Sequence, residues 1–191
     1  MVRIYRTEGH LNATVAPQPV SVDSTAAPPD FETAVREHQA MVFSLAFHFL
    51  RDRAVAEELA QEVFLELYTH QREMQSAAHL RFWLRKVTSR RCIDETRRLR
   101  YRRHLSLASV PEPFAWMPMH DPKLREHLSA LVASLSEMPR LIVILRYQED
   151  LSPTEIAETL EIPLGTVKSH LQRSLELLRR KLAVTLGEDA L

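Results

Sequence analysis

Toward its C-terminal end the chain reads SPTEIAETLEIPLGTVKSHLQRSLELLRRKL, Ser152 to Leu182, and no other stretch restricts the choice of fold as much. Ser152, Pro153 and Glu155 supply a hydroxyl cap, a proline at the first helical position and a carboxylate at the third, which together start a helix. That helix is short and ends near Leu160; Glu161-Ile162-Pro163 makes a turn, and a longer helix begins at about Leu164. Two helices joined by so tight a turn read as a helix-turn-helix, whose second helix enters the major groove.

Along this segment Ile162, Val167, Leu171, Leu175 and Leu178 recur at helix-face spacing and can hold a core. Thr166, Lys168, Ser169, His170, Gln172 and Arg173 are left mostly outward, and their side chains can reach phosphates and base edges. A plainer reading is that Lys168, Arg173, Arg179, Arg180 and Lys181 only solvate the helix and favour its C-terminal dipole. The capped helix and turn in front favour the DNA reading.

The rest of the chain is helical in pattern. It has three glycines in 191 residues and few runs of alternating β-branched residues, so an all-α fold is expected. Residues 1–29 are rich in Pro, Ala, Ser and Thr without apolar period and read as a flexible tail. Phe31, Val35, Val42, Leu45 and Phe49 mark a first helix, and LRDRA a short break after which Asp52 caps a second. The second helix, from about Val55 to His70, carries Val55, Leu59, Val63 and Leu67 at i+4 steps, with Phe64 widening the apolar face. A third runs from about Ala77 to Arg103. Residues 105–122 contain several prolines and little period, a linker between a first helical domain (30–104) and a second (123–186), before a short tail at 187–191. Its Phe114 and Trp116 either meet a partner or cover a small patch.

Lys+Arg and Asp+Glu number 25 each, yet the charge is divided along the chain. From Arg81 to Arg103 there are ten Arg or Lys against Asp94 and Glu95, a local charge of +8. Phe82, Trp83 and Tyr101 are interleaved with them, and aromatics beside a basic groove can stack on unpaired bases while cations follow the backbone. Taken singly, the aromatics also fit a core role. The second helix has the opposite sign: Glu58, Glu62 and Glu66 form one stripe, either a solvated face or a surface for a basic protein, with Gln61 alongside.

Other classes find little support. Cys92 is the single cysteine, which fits a reducing compartment, so a cytoplasmic location is expected. The longest apolar run, Met41 to Leu50, is about half a membrane span, and the N-terminus lacks a signal-peptide core. Nine histidines are scattered without metal-ligand spacing, and no phosphate loop or nucleophile elbow is present, so no catalytic residue, metal or cofactor is expected. His120, Asp121 and His127 straddle the linker and a helix start, where a surface or capping role fits better than a metal site.

Three motifs in order resemble the extracytoplasmic-function sigma factors, small specificity subunits of bacterial RNA polymerase, over about Phe31 to Leu186. DRAVAEELAQEVFLELY, Asp52 to Tyr68, is similar to the family's acidic core-binding helix. The resemblance implies that Asp52, Glu58, Gln61, Glu62 and Phe64 contact the polymerase or support that contact. FWLRKVTSRRCIDETRRLRYRR, Phe82 to Arg103, is similar to the segment that reads the minus-ten element and helps open the duplex, implicating Trp83, Lys86, Arg90, Arg91, Arg97 and Arg98. Family members often have Asn where this chain has Arg90. Met138 to Leu182 is similar to the helix-turn-helix for the minus-thirty-five element, with His170 in place of the usual Arg and Ser174 in place of a common Ala. A His there should release fewer counterions than Arg.

The resemblance implies a non-enzymatic alternative sigma factor. Its partners would be core RNA polymerase (the largest catalytic subunit and the flap of the second), promoter DNA both duplex and melted, and an anti-sigma factor, with no direct membrane contact. Two rivals are a decoy that sequesters an anti-sigma factor and a regulator using only its helix-turn-helix. A decoy has no reason to keep both DNA-reading segments, and a stand-alone regulator leaves the acidic stripe and Trp83 without purpose.

Overall fold

The computed structural model describes residues 29–103 and 122–188; the expected N-terminal tail and the linker, with Phe114, Trp116, His120 and Asp121, lie outside them, as does the side chain of His127. The described residues form seven α-helices and one 3-10 turn, with no strand among them. The first three helices are α1 (Phe31–Leu50), α2 (Arg53–His70) and α3 (Ala77–Arg103), with the turn Gln71–Glu73 before α3. Beyond the linker follow α4 (Pro122–Ala133), α5 (Glu137–Tyr147), α6 (Pro153–Leu160) and α7 (Leu164–Glu188). The helix α2 starts two residues before the expected Val55, and α7 continues past the expected boundary at 186.

Local chemistry sets the helix ends. The Asp30 carboxylate accepts the Thr33 N–H at 3.0 Å and opens α1, and Asp52 accepts the Val55 N–H at 3.1 Å and opens α2. Between α1 and α2 a single left-handed residue, Arg51 (φ 61°), ends the first helix and turns the chain back, so the two pack side by side. At α6 the expected capping box is complete: Glu155 N–H donates to Ser152 Oγ at 3.2 Å, and Ser152 N–H donates to Glu155 Oε2 at 2.8 Å. Glu161, at φ 56°, closes that helix and begins the turn into α7.

The side chains buried by each helix follow the periodicity. Val42, Leu45 and Phe49 of α1 and Val63 and Leu67 of α2 are fully buried, as are Leu80 and Leu84 of α3. In the second unit Leu141, Ile142 and Leu145 of α5 meet Ile156 of α6 and Val167 of α7. The two helical units are not separate bodies: α1 packs on α5 and α3 on α6, and one apolar cluster runs through both. Polar bonds follow the same seam. The Arg140 guanidinium of α5 donates to the Phe49 carbonyl at the end of α1 at 3.0 Å, and Arg51 donates to Ser129 of α4. Arg85 of α3 meets Glu149, in the turn before α6, at 3.2 Å, both largely buried.

Candidate nucleic-acid interface

The N-terminal half of α7 carries the predicted reading face. Lys168, Ser169, Gln172 and Arg173 are exposed, and Thr166 and His170 are half-buried at its edge. Val167 and Ser174 are buried on the opposite side, so the departure from Ala at 174 lies in the packed face. Gln172 donates to Glu176 at 3.2 Å, holding it along the helix. A Cβ on Gly165 would meet nothing within 4 Å, so the first turn of α7 is open to close approach from outside.

The basic helix α3 is less open than its +8 suggested. Lys86 meets Glu161 at 2.7 Å, and Arg90 reaches the other oxygen of the same carboxylate. Arg91 crosses to α2 and binds Glu62 and, at 2.6 Å, Glu66. Arg97 and Arg98 sit 3.4 and 3.2 Å from Asp94 and Glu95, one turn back on their own helix. Each of these five predicted cations therefore has a carboxylate partner within the chain. Trp83 is half-buried against the core with its ring 5.9 Å from that of His70, and Lys86 lies 6.0 Å over the half-buried Phe82 ring.

These contacts shape the local electrostatics. Hydrogen bonds from Lys86 and then Arg90 hold the Glu161 carboxyl below the usual carboxylate range. Burial pushes the Glu149 carboxyl up, against the opposing pull of Arg85. Hydrogen bonds to Ser152 lower Glu155.

On α2 the predicted residues divide. Glu58 and Gln61 are exposed and Glu62 half-exposed, whereas Asp52 is occupied as the helix cap. Phe64 is only 9% exposed and packs into the core. Leu65 and Tyr68, which sequence reasoning passed over, are 67% and 66% exposed. With Glu58 and Gln61 they stand at i, i+3, i+7 and i+10, one outward stripe. The signal was present: a helix that buries Val63 and Leu67 turns Leu65 to the opposite side. Tyr68 leans edge-on against Phe31 of α1 at 5.2 Å, which extends the apolar part of the stripe.

Comparison with known proteins decides the family. Residues 34–102 match Sigma-70 region 2 and residues 125–178 match Sigma-70, region 4. The chain is 31% identical over 156 residues to the ECF RNA polymerase sigma factor SigL of Mycobacterium tuberculosis, across 78% of this chain and 88% of that protein. The chain belongs to the extracytoplasmic-function sigma factors. A second such sigma factor, SigE of Mycolicibacterium smegmatis, is 32% identical over 174 residues; the match takes in 86% of this chain but 66% of SigE. The fold of this sigma factor is also that of RpoE from Bartonella quintana, solved with the anti-sigma factor NepR, at a TM-score of 0.64 and 18% identity over 81% of this chain and 98% of RpoE. Region 2 thus comprises α1 to α3, and region 4 falls on α4 to α7.

Proposed function

We propose that this sigma factor binds core RNA polymerase through the outward stripe of α2 and directs it to promoters with a minus-ten element read by α3 and a minus-thirty-five element read by α7. The observation that carries the reading is that one chain holds both regions, with exposed polar side chains along the start of α7 and a separate exposed stripe of Glu58, Gln61, Leu65 and Tyr68 on α2. Glu58, Gln61, Leu65 and Tyr68 offer the polymerase a mixed acidic and apolar strip, supported from beneath by Phe64.

On the DNA the division of labour follows from shape and charge. An α-helix fits the major groove of duplex DNA, so Lys168, Ser169, Gln172 and Arg173 meet phosphates and base edges there. Trp83, Lys86, Arg90, Arg91, Arg97 and Arg98 serve strands as they separate: cations track the backbone and the indole offers a stacking edge. Bond formation belongs to the polymerase, and this chain is a specificity subunit and not an enzyme.

An anti-sigma factor is the expected inhibitor, a reading supported by the related fold of RpoE solved with NepR. No helix among the described residues is long and apolar enough to cross a membrane, in keeping with work beside the chromosome in the cytoplasm. Run-off transcription by purified core polymerase on a promoter library, with and without the chain, tests the proposal. Specific initiation that is lost on Glu58→Lys and on Arg173→Ala is expected; no chain-dependent transcript on any promoter contradicts it. A stand-alone regulator would bind DNA without core polymerase and ignore Glu58→Lys, and a decoy would bind no promoter and drive no transcript.

A further inference from the structure

Glu161 stands at an unusual point. It is the first residue of the turn between the two helices of the helix-turn-helix, and it holds a left-handed backbone (φ 56°) that favours glycine. Its carboxylate is bonded across the seam to Lys86 at 2.7 Å and to Arg90, both on α3. A doubly hydrogen-bonded oxyanion between a Lys and an Arg is the arrangement in which such cations hold a phosphate. We infer that Glu161 is an intramolecular substitute for DNA phosphate, by which region 4 masks the Lys86 and Arg90 cations of region 2 until promoter DNA displaces it.

Distances bear this out. Elements about 25 base pairs apart lie about 85 Å apart on straight duplex. Here the turn of the helix-turn-helix touches α3, itself a helix of 27 residues and so about 40 Å long. In this arrangement the two reading helices cannot reach both elements, so the seam must open.

The chemistry of the seam suits a reversible closure. The Glu161 bonds are exposed enough for solvent and ions to compete, with side-chain exposures of 24% for Lys86, 60% for Arg90 and 54% for Glu161. The more buried Arg85–Glu149 pair beneath them fixes the register of α3 on the turn before α6. A nucleic-acid strand offers a run of phosphates in place of one carboxylate and so can win the exchange.

The inference rests on the assignment of α3 as a DNA-binding helix but not on polymerase, so it is tested on the full chain alone. Fluorescence anisotropy with a mixed-sequence single-stranded oligonucleotide compares the chain with Glu161→Gln, with Glu161→Gly, which suits the left-handed backbone, and with Glu158→Gln. The last removes an equal charge from the exposed side of α6. Both Glu161 variants are expected to bind about 3- to 10-fold more tightly, the effect of removing two exposed ion pairs. Glu158→Gln should gain less than about twofold, the scale of one distant screened charge, and the Glu161 gain should vanish when Lys86→Ala and Arg90→Ala are added. Equal gains at 158 and 161, or a gain that survives loss of both cations, would overturn it. Spin labels at Ala40→Cys and Thr154→Cys, with Cys92 buried and unlabelled, give a second readout. A short distance that lengthens on saturation with the oligonucleotide supports the exchange, and an unchanged distance refutes it. If the latch fails while run-off transcription succeeds, the sigma assignment stands without it.

Discussion

The Arg140 guanidinium donates to the carbonyls of Phe49, Ala133 and Leu135 at 3.0, 2.8 and 3.0 Å and lies 5.5 Å from the Phe49 ring, so one side chain closes the open ends of α1 and α4 at once. Truncation leaves three carbonyls without this donor and the seam without its tie. Arg140→Ala should lower stability by about 3 kcal/mol, and Arg140→Lys by less, as measured by urea unfolding followed by circular dichroism. In the sequence Arg140 was one more arginine in an amphipathic helix; its role depends on the end of a helix some ninety residues away. His170 is a different case: it was legible as a departure from the family pattern, and on α7 it is half-buried beside the exposed Ser169. If it faces a phosphate, His170→Arg should steepen the plot of log affinity for minus-thirty-five duplex against log salt by about 0.9.

In α2 the buried face and the proposed docking stripe lie on opposite sides. Phe64→Ala opens a hole in the core and should cost about 3 to 5 kcal/mol by urea unfolding. Leu65→Ala should leave that curve nearly unchanged and Tyr68→Ala should shift it by about 1 kcal/mol for the lost Phe31 contact, yet each should weaken capture by immobilised core polymerase several-fold. The start of α6 makes a prediction in pH. The Glu155 pKa is lowered on folding by its bonds to Ser152, so its stabilisation is present above the ordinary Glu value of 4.5 and fades as pH falls through the lower folded value. Unfolding midpoints of the chain and of Glu155→Gln should therefore differ at neutral pH and converge as the pH falls below the ordinary Glu value of 4.5. Helix starts at Ser152 and Asp52 were legible because a cap acts within three residues of itself. The exposure of Leu65 and the burial of Phe64 needed the register of the whole helix, which apolar identity alone does not give.

At the scale of the molecule, the two helical units were readable from the proline-rich break and from the change of motif, but the seam between them was not. The acidic stripe read in sequence as either a solvated face or a surface for a basic protein, and the basic helix as a surface for nucleic acid. Folding instead sets Arg91 against Glu62 and Glu66, and Lys86 and Arg90 against Glu161, because opposite charges on neighbouring helices neutralise one another where they meet. The net charge of zero is therefore partly a sum over internal pairs, and in the proposed exchange phosphates take the place of Glu161. As a sigma factor with both regions, the chain is expected to read two separated DNA elements with two helices. Mapping transcript starts made by core polymerase and this chain on a randomised promoter library measures it most directly. The account predicts two conserved sequence blocks at a fixed spacing, the upstream one lost on Arg173→Ala and the downstream one lost on Trp83→Ala with Arg97→Ala; a single block, or blocks that do not respond separately to the two sets of substitutions, would contradict it.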